Sequence, residues 1–353
     1  MTTGPSTPYL AVDPNRLRDN LRRAAEWAAT NGVALRPHAK THKTAEIARL
    51  QLDHGAVGLC VATVGEAEVM AEHGVTDLFV AYPLHLDEPR TARLRALAER
   101  CRAAIGVDSV EAATRAGRLL GPYAVDVLVE VDSGQHRTGC LPGEAGAVAA
   151  AAAAARARVR GVFTFPGHSY DPDRTASAAA DEGRALAAAR AAVEGEGLEV
   201  AVVSGGSTPS FAHTDVGVLT EARPGVYVFG DAQQWELGAM ALESIALTCR
   251  ATVVSHAGGR AVLDSGSKAL AADRAAYSTG AGRLLDHPDA RVVQLSEHHA
   301  VVDFAGAPLP PVGEQVAVVP NHCCAAVNLA DELWVEEDGE LRSWAVAARG
   351  RNS

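Results

Sequence analysis

The sequence predicts an α/β chain: a closed parallel (β/α)8 barrel, residues 1–238, followed by a mostly antiparallel β domain, residues 239–353. Eight short β-branched runs alternate with helical patterns within about 230 residues, which is typical of such a barrel. After Trp235, strand-like runs follow one another with turns and hardly any helix, which indicates a separate β domain. For the first part of the chain, a doubly wound parallel sheet is the alternative.

Each predicted barrel strand is a short run rich in branched aliphatic or aromatic residues. The eight runs are Gly32–Arg36, Val57–Ala62, Asp77–Ala81, Ala103–Val107, Val125–Val131, Val159–Thr164, Val200–Val203 and Val226–Phe229. The helical patterns around them are Pro14–Thr30, Val64–His73, Glu88–Arg102, Ser109–Leu120, Gly143–Ala155 and Ala176–Gly195. Residues 147–155 are nearly all alanine, the best helix former, so we assign them to a helix rather than to a linker.

The predicted β domain begins near Gln234–Glu243, where the helical patterns stop. Because turns separate its runs, antiparallel pairing of neighbours is expected. The runs are Ile245–Val254, Arg260–Leu263, Arg291–Leu295, Ala300–Phe304, Gln315–Val319, Glu332–Trp334 and Arg342–Ala347.

Composition narrows the class of partner and the compartment. The 353 residues include 32 Lys and Arg against 43 Asp and Glu, a net charge of −11, so neither nucleic acid nor an anionic membrane is the expected partner. Hydrophobic residues make up 48% of the chain, which is enough to bury a large core around a small-molecule site. The first 14 residues lack a signal-peptide pattern, and six scattered cysteines read as reduced thiols, so we expect a cytoplasmic protein.

Polar residues follow the predicted barrel strands, at the end of a barrel where active sites lie. Lys40 follows the first strand among His38, His42 and Lys43, where positive charge and burial favour the neutral, nucleophilic amine. Ser204–Thr208 follows the seventh strand as a glycine-rich turn with three hydroxyls, suited to binding an anion. A lysine opposite a phosphate-binding turn indicates pyridoxal 5′-phosphate held as a Schiff base.

Eight motifs spread along nearly the whole chain resemble one known family. They are Arg36–Lys43, Asp132–Gly139, Gly167–Tyr170, Ser204–Thr208, Arg223–Tyr227, Asp264–Leu270, Glu297–His299 and Pro320–Cys324. Together they are similar to the barrel-type (fold-type III) pyridoxal-phosphate enzymes that include D-serine dehydratase and D-threonine aldolase and, more distantly, alanine racemase. The resemblance implies a TIM-like barrel of the alanine-racemase type and a C-terminal domain of the D-serine-dehydratase type.

The resemblance also implies roles for single residues. Lys40 would be the Schiff-base lysine and the base at Cα. Arg137 would contact the oxygen on the cofactor ring, Tyr170 would line the ring or the substrate, and Arg223 would reach the pyridine nitrogen. The phosphate would be held by Ser204, Gly205, Gly206, Ser207, Thr208, Gly225, Val226 and Tyr227.

A second chemical element is the pair His322 and Cys324 in the predicted β domain. With the two-residue period of an extended segment, both side chains would lie on one face, with Cys323 pointing to the core on the other. Imidazole and thiolate suit zinc, and two protein ligands leave positions for water and a substrate hydroxyl. The resemblance implies a divalent metal here: zinc is expected, with manganese or magnesium as alternatives. In the family, H-x-C is associated with dehydratases and H-x-D with D-threonine aldolases.

Four other features have simpler interpretations. We expect His298 and His299 to have a structural role or to support a metal ligand without binding the metal, and Lys268 to have an interface or ion-pair role. Asp132 is either catalytic or the cap of the turn after its strand. Trp235, Trp334 and Trp344 are expected as core or interface anchors.

From the resemblance we expect a lyase of D-3-hydroxy amino acids that acts as a D-serine dehydratase and gives a 2-oxo acid and ammonia. The alternative is an aldolase of the D-threonine type, which gives glycine and an aldehyde. A racemase and a non-catalytic pyridoxal-phosphate carrier are less favoured alternatives. The resemblance also implies a homodimer.

Overall fold

The computed structural model describes residues 4–337 and 339–353, which form two compact units. The barrel unit consists of Ala24–Lys40, Ile47–Gly225 and Arg351–Ser353. The β unit consists of residues 4–23, Thr41–Glu46 and, apart from residue 338, Val226–Gly350. The domain boundary between residues 238 and 239 stays a prediction.

The strands are numbered here in chain order. They are β1 (Tyr9–Val12), β2 (Ala34–Leu35), β3 (Leu59–Val61), β4 (Asp77–Pro83), β5 (Arg102–Val107), β6 (Asp126–Glu130), β7 (Val159–Phe163), β8 (Val202–Gly205), β9 (Glu221–Ala222), β10 (Leu247–Ser255), β11 (Ala261–Leu263), β12 (Gly282–Leu284), β13 (Arg291–Leu295), β14 (Ala300–Asp303), β15 (Gln315–Pro320), β16 (Glu332–Glu337) and β17 (Glu340–Ala345).

The α-helices are numbered in the same way. They are α1 (Pro14–Asn31), α2 (Ala45–Asp53), α3 (Val64–Glu72), α4 (Glu88–Ala98), α5 (Val110–Leu120), α6 (Ala145–Ala154), α7 (Thr175–Gly195), α8 (Ala232–Glu236), α9 (Ser267–Leu270) and α10 (Cys323–Leu329). All six predicted helical patterns are confirmed. The N-terminal ends of three of these helices are fixed by side-chain caps, in which Thr63, Asp87 and Ser109 accept backbone N–H groups of α3, α4 and α5.

Eight parallel strands form the barrel unit's ring, in the order β2-β9-β8-β7-β6-β5-β4-β3. A parallel bridge between His38 and Cys60 joins the two ends. The predicted (β/α)8 barrel is therefore confirmed, and a doubly wound sheet is excluded. The carboxyl ends of all eight strands meet at one rim, where the residues after each strand can form a site.

The eighth predicted strand is wrong. Val226–Val228 is a 3-10 helix, and the eighth barrel strand is Glu221–Ala222. A short apolar run fits a buried strand and a buried helical turn equally well. The true strand carries a glutamate, which is buried because it accepts hydrogen bonds from Arg36 and Ser204.

The middle of the barrel is apolar, and its amino-terminal end is charged. Inward-facing side chains form one cluster of Cys60, Phe79, Ala104, Leu128 and Phe163. Arg36, directly after β2, is bonded to Asp77 and Glu221, the first residues of β4 and β9 (both 2.7 Å), and Asp126, the first residue of β6, is bonded to Arg158 (2.6 Å). These ion pairs matter for the stability of the fold, because a buried charge that loses its partner strongly destabilises the folded state.

The β unit is mostly antiparallel, as predicted. Its nine strands run in the order β11-β14-β13-β12-β15-β10-β1-β16-β17, and β10 also pairs with β11, which closes six of the strands into a ring. Only the β1–β16 pair is parallel among the named strand pairs of the described β unit. Sequence analysis missed β1, which adds the segment Tyr9–Val12 to β10. Among the described residues, no helix is long and apolar enough to cross a membrane.

Candidate active site

Lys40 and Arg137 both lie near one aromatic ring in the barrel unit. Lys40 belongs to a 3-10 turn, Ala39–Thr41, that follows β2, and its Nζ lies 5.6 Å from the centre of the Phe165 ring. The guanidinium carbon of Arg137, in the loop after β6, lies 5.3 Å from the same centre. Phe165, which follows β7, thus brings two predicted cofactor residues together. Sequence analysis missed it because an aromatic residue beside a buried strand reads as core.

Ser204 and Gly205 are the last two residues of β8, so the turn that the sequence predicted from Ser204 begins only at Gly206. Gly206 has φ +85°, a left-handed conformation that favours glycine. Ser207 is buried, and its hydroxyl lies 2.8 Å from those of both Ser169 and Ser210. Thr208 is also buried in this turn. A buried cluster of hydroxyls beside a glycine turn fits a phosphate group, which needs several donors in a small space.

Three of the predicted phosphate ligands already have other partners: Ser207, whose hydroxyl contacts those of Ser169 and Ser210, together with Ser204 and Gly206. The hydroxyl of Ser204 donates to Glu221 (2.7 Å), toward the barrel interior. The N–H of Gly206 donates to Oε1 of Glu182 on α7 (2.6 Å). Direct phosphate contacts from the Ser204 hydroxyl and the Gly206 amide stay predictions.

Arg223 is buried directly after β9. One guanidinium nitrogen donates to the carbonyl oxygen of Thr164, and the Phe163 ring centre lies 5.3 Å from its guanidinium carbon. Its Nε is buried without a hydrogen-bond partner among the described residues. Gly225, two positions later, is the last residue of the barrel unit's segment Ile47–Gly225. Because the Nε of Arg223 is buried without an acceptor among the described residues, it fits a bound group that offers one, such as a heteroaromatic ring.

Glu130, the last residue of β6, is a carboxylate that sequence analysis did not single out. It is 2% exposed, and Oε1 accepts the hydroxyl of Thr138 (3.0 Å) while Oε2 has no partner in the described part of the chain. Burial raises its pKa to about 7, against the lowering influence of Thr138 and of Arg137 and Arg223. A carboxyl that titrates near neutrality at the strand ends can hold or release a proton there.

Tyr170 ends the 3-10 turn Gly167–Ser169 after β7 and is half-buried. Val226 and Tyr227 are buried in the 3-10 helix Val226–Val228, which belongs to the β unit. Their predicted contacts with a cofactor stay predictions.

His322 and Cys324 do not lie on an extended segment, so that part of the sequence analysis is wrong. Cys323–Leu329 is helix α10, with His322 as the residue before its first turn. Asp231, 92 positions earlier in the chain, accepts the N–H of Cys323, the first residue of this helix (3.2 Å). No local pattern reports a cap from so far away. Cys323 is fully buried, as predicted.

The two side chains are nevertheless neighbours in the β unit. The Cys324 thiolate raises the pKa of His322 to about 11; burial opposes this shift, and a hydrogen bond to Asp231 adds to it. Nδ1 of His322 lies 3.2 Å from Oδ2 of Asp231, and Sγ of Cys324 lies 3.3 Å from the hydroxyl oxygen of Thr41. Histidine and cysteine are side chains that bind zinc, and a zinc ion at this pair would replace the proton on His322.

No group of three or more His, Cys, Asp or Glu side chains in residues 4–337 and 339–353 is arranged to hold a metal.

The remaining candidates have structural partners. Asp132 accepts the N–H groups of Gly134 (2.8 Å) and His136 (3.0 Å), so it caps the turn, as one of its two interpretations holds. Lys268 forms the expected ion pair, with Glu297 (2.7 Å). The guanidinium carbon of Arg283 stacks 3.9 Å from the ring centre of Trp235.

A parallel barrel with a lysine after its first strand and a glycine-rich, hydroxyl-lined turn after its seventh defines the class of alanine-racemase-like, fold-type III enzymes. Comparison with known proteins agrees. A family model described as alanine racemase, N-terminal domain, matches residues 12–233, and one described as putative serine dehydratase domain matches residues 246–335.

Two characterised relatives align over nearly the whole chain. D-threo-3-hydroxyaspartate dehydratase of Delftia sp. (strain HT23) is 31% identical over 96% of this chain and 96% of its own. D-threonine aldolase of Arthrobacter sp. is 32% identical over 98% of this chain and 93% of its own. The chain belongs to the alanine-racemase-type barrel family that contains these two enzymes, and it is a pyridoxal-phosphate-dependent lyase.

Solved structures agree with the fold and bear on the second site. A D-threo-3-hydroxyaspartate dehydratase with a histidine-to-alanine substitution has a TM-score of 0.90 and 30% identity, covering 97% of this chain and 95% of that one. A cysteine-to-alanine mutant of the same enzyme, described as in the metal-free form, has a TM-score of 0.88 and 29% identity, covering 97% of each chain. The two substituted residues are two positions apart, as His322 and Cys324 are here.

Proposed function

We propose that this lyase acts on D-3-hydroxy amino acids and removes water from a substrate such as D-serine, giving a 2-oxo acid and ammonia. The observation that carries the dehydratase assignment is the neighbouring His322 imidazole and Cys324 thiolate, held by Asp231. It is supported by the metal-free cysteine mutant of a dehydratase relative, in which a cysteine two positions after a histidine is replaced.

The residues of the two units would hold two groups. Lys40, Arg137, Tyr170, Arg223 and the Ser204–Thr208 turn, with Gly225, Val226 and Tyr227, would hold pyridoxal phosphate; His322 and Cys324 would hold a divalent metal, with zinc proposed. When bound, the cofactor would supply an electron sink for negative charge at Cα, and the metal a Lewis acid for the β-hydroxyl.

Lys40 would perform the proton transfer. Its Nζ would hold the cofactor until the substrate amine replaces it, and would then take the proton from Cα. The Phe165 ring gives this ammonium an aromatic face 5.6 Å away, which stabilises its charged form after the transfer. Arg137, on the same ring, would orient a negatively charged oxygen by hydrogen bonding.

The net reaction balances with no external oxidant. The Cα–H and Cβ–O bonds break, and the proton and the hydroxide leave as water. The released enamine then takes up one water and gives the 2-oxo acid and ammonia. Elimination needs help for a poor leaving group, and a Lewis acid on the hydroxyl oxygen provides it; aldol cleavage needs the same oxygen deprotonated instead.

One assay separates the two reactions. Purified protein with pyridoxal phosphate and zinc or manganese is offered D-serine, D-threonine and D-threo-3-hydroxyaspartate, and oxo acid, ammonia, glycine and aldehyde are measured together. We expect oxo acid and ammonia in equal amounts. Glycine with an aldehyde would contradict the dehydratase proposal and favour the aldolase alternative, which the 32% identity with D-threonine aldolase supports.

Three variants assign the reaction to its residues. Lys40→Ala should abolish turnover, and His322→Ala should abolish it while leaving the visible absorbance of the bound cofactor in place. Lys268→Ala is the matched control, because its exposed ammonium contacts Glu297 and His298 and none of the proposed cofactor or metal residues among the described part of the chain. Full activity of the His322→Ala variant would contradict the metal-assisted mechanism.

We also propose that the enzyme works as a homodimer, an inference from its relatedness to this family, and that it is cytoplasmic. Sedimentation equilibrium at micromolar protein measures the first: a mass near twice 36.6 kDa is expected, and a monomer would contradict the proposal.

A further inference from the structure

One fully buried carboxyl group packs directly under the glycine-rich turn. Glu182 lies in the first half of α7 and has no solvent exposure. Its Oε1 accepts the N–H of Gly206 (2.6 Å), and its Oε2 has no hydrogen-bond partner among the described residues. Burying a carboxyl is costly unless it is bonded, so a single bond to the turn calls for a functional explanation.

Gly205 packs closely against the Glu182 carboxyl. A Cβ on Gly205 would overlap Oε1 of Glu182 and would lie 2.9 Å from its Cδ. The side chain at position 182 thus occupies the space that any larger residue at 205 would need. Gly206 has a left-handed φ of +85°, a conformation that favours glycine. The hydrogen bond from its N–H to Glu182 therefore holds the chain at the residue where it turns.

Helix α7 supports the neighbouring loop through the adjacent residue. Oδ2 of Asp181 lies 3.2 Å from Nε2 of His168, in the 3-10 turn after β7. That loop is bonded to the turn by the 2.8 Å contact between the hydroxyls of Ser169 and Ser207. Two consecutive residues of one helix therefore hold the two hydroxyl-bearing loops that would receive the phosphate.

The electrostatics fit this arrangement. An ionised carboxylate under the turn would repel a phosphate dianion, whereas a neutral acid still accepts a hydrogen bond through its carbonyl oxygen. Burial raises the pKa of Glu182 to about 7, while the Gly206 amide and Arg223 act in the opposite direction. The neutral form is thus accessible at physiological pH.

We propose that Glu182 is a positioning residue that holds the Gly205–Gly206 turn in the conformation that receives the cofactor's phosphate. The inference rests on the proposed function, in which this turn binds the phosphate of pyridoxal phosphate. Glu182 itself does not touch the cofactor; it acts through the Gly206 amide and the packing against Gly205.

Comparing pyridoxal phosphate with pyridoxal, which lacks the phosphate, isolates this role. Dissociation constants of both are measured from visible absorbance, with Lys40→Ala as the blank. Glu182→Ala should weaken pyridoxal phosphate about tenfold or more, the effect of one strong hydrogen bond, and leave pyridoxal unchanged within about twofold. Glu182→Gln keeps an acceptor oxygen in the same place and should restore the affinity.

The control variant is Val193→Ala, which removes fully buried bulk from the same helix, eleven positions away. It should change neither dissociation constant. If Glu182→Ala does not fold, Glu182→Asp withdraws the carboxyl by one methylene and gives the same comparison.

The outcomes are distinct. Equal weakening of both ligands by the Glu182 variants, or no weakening of either, would overturn the positioning role. If the unmodified enzyme itself binds pyridoxal as tightly as pyridoxal phosphate, the phosphate site under the proposed function is what fails.

Discussion

Asp231→Asn tests how the second site is held. The Asp231 side chain is fully buried and accepts three N–H groups on two oxygens. Oδ1 accepts Gln234 (2.8 Å), and Oδ2 accepts the backbone N–H of Cys323 and faces Nδ1 of His322, both at 3.2 Å. Asparagine offers one oxygen and one NH2 group, so in either orientation at least one donor faces another donor.

The magnitude follows from that count. Leaving a buried donor unsatisfied costs about 1–3 kcal/mol. Loss of the partner that orients a metal-binding histidine typically weakens metal binding about 10- to 100-fold, or about 1.4–2.7 kcal/mol. We therefore expect the zinc dissociation constant of Asp231→Asn to rise by one to two decades (~10–100-fold), with the bound cofactor retained.

Chelator competition measures the constant, and cobalt substitution reports thiolate ligation by its charge-transfer absorbance. His322→Ala and Cys324→Ala define complete loss. Asp87→Asn is the matched control, since Asp87 caps α4 in the barrel unit by accepting the N–H of Arg90 (2.8 Å). Zinc affinity of Asp231→Asn within twofold of the unmodified protein, with affinity lost in Cys324→Ala, would refute the reasoning.

Three further predictions concern the barrel unit. Burial raises the pKa of Glu130 and Glu182 to about 7, so the stability that the protonated carboxyls contribute below their unfolded pKa near 4.5 is lost as pH rises through 7. Glu→Gln at either position should therefore raise the melting temperature more at about pH 8 than at about pH 5, as measured by calorimetry. Equal shifts at the two pH values would contradict this. Asp126→Ala removes a fully buried partner of Arg158 and Arg160 and should lower the free energy of unfolding by about 3 kcal/mol in urea titrations; a loss below about 1 kcal/mol would count against a buried network. Phe165→Ala should lower kcat/KM about tenfold by removing the ring shared by Lys40 and Arg137, whereas Phe211→Ala, which removes a ring contact with Trp27, should not; equal effects would place the role of Phe165 in general packing.

The order of strands and helices could be predicted from the sequence because it depends on local periodicity. Seven of the eight barrel strands and all six helical patterns lie where the short apolar runs and the helical patterns of the sequence predicted them. The failures are short elements. Val226–Val228 forms a 3-10 helix although its residues favour a strand. Glu221–Ala222 forms a strand although a glutamate is not typical of a buried strand.

The candidate site divides in the same way. Lys40, Arg137 and the Ser204–Thr208 turn could be found because they follow strand ends, and all such ends meet at one rim of a barrel. Phe165 and Glu130 were missed because each reads as an ordinary strand-end residue. Only the fold brings the Phe165 ring within 5.6 Å of the Lys40 ammonium, across 125 positions of chain.

By itself, the sequence determined the class of this protein: an alternating barrel, a β unit, a lysine and a glycine turn at strand ends, and a histidine two positions before a cysteine. What the tertiary structure alone decided is how those groups are held. Asp231 accepts the N–H of the first residue of helix α10 and fixes His322 from 91 positions away, and Glu182 reaches Gly206 from another element of the barrel unit. Periodicity and capping act within a few residues along the chain, whereas a buried carboxyl takes its partner from whatever the packing places beside it.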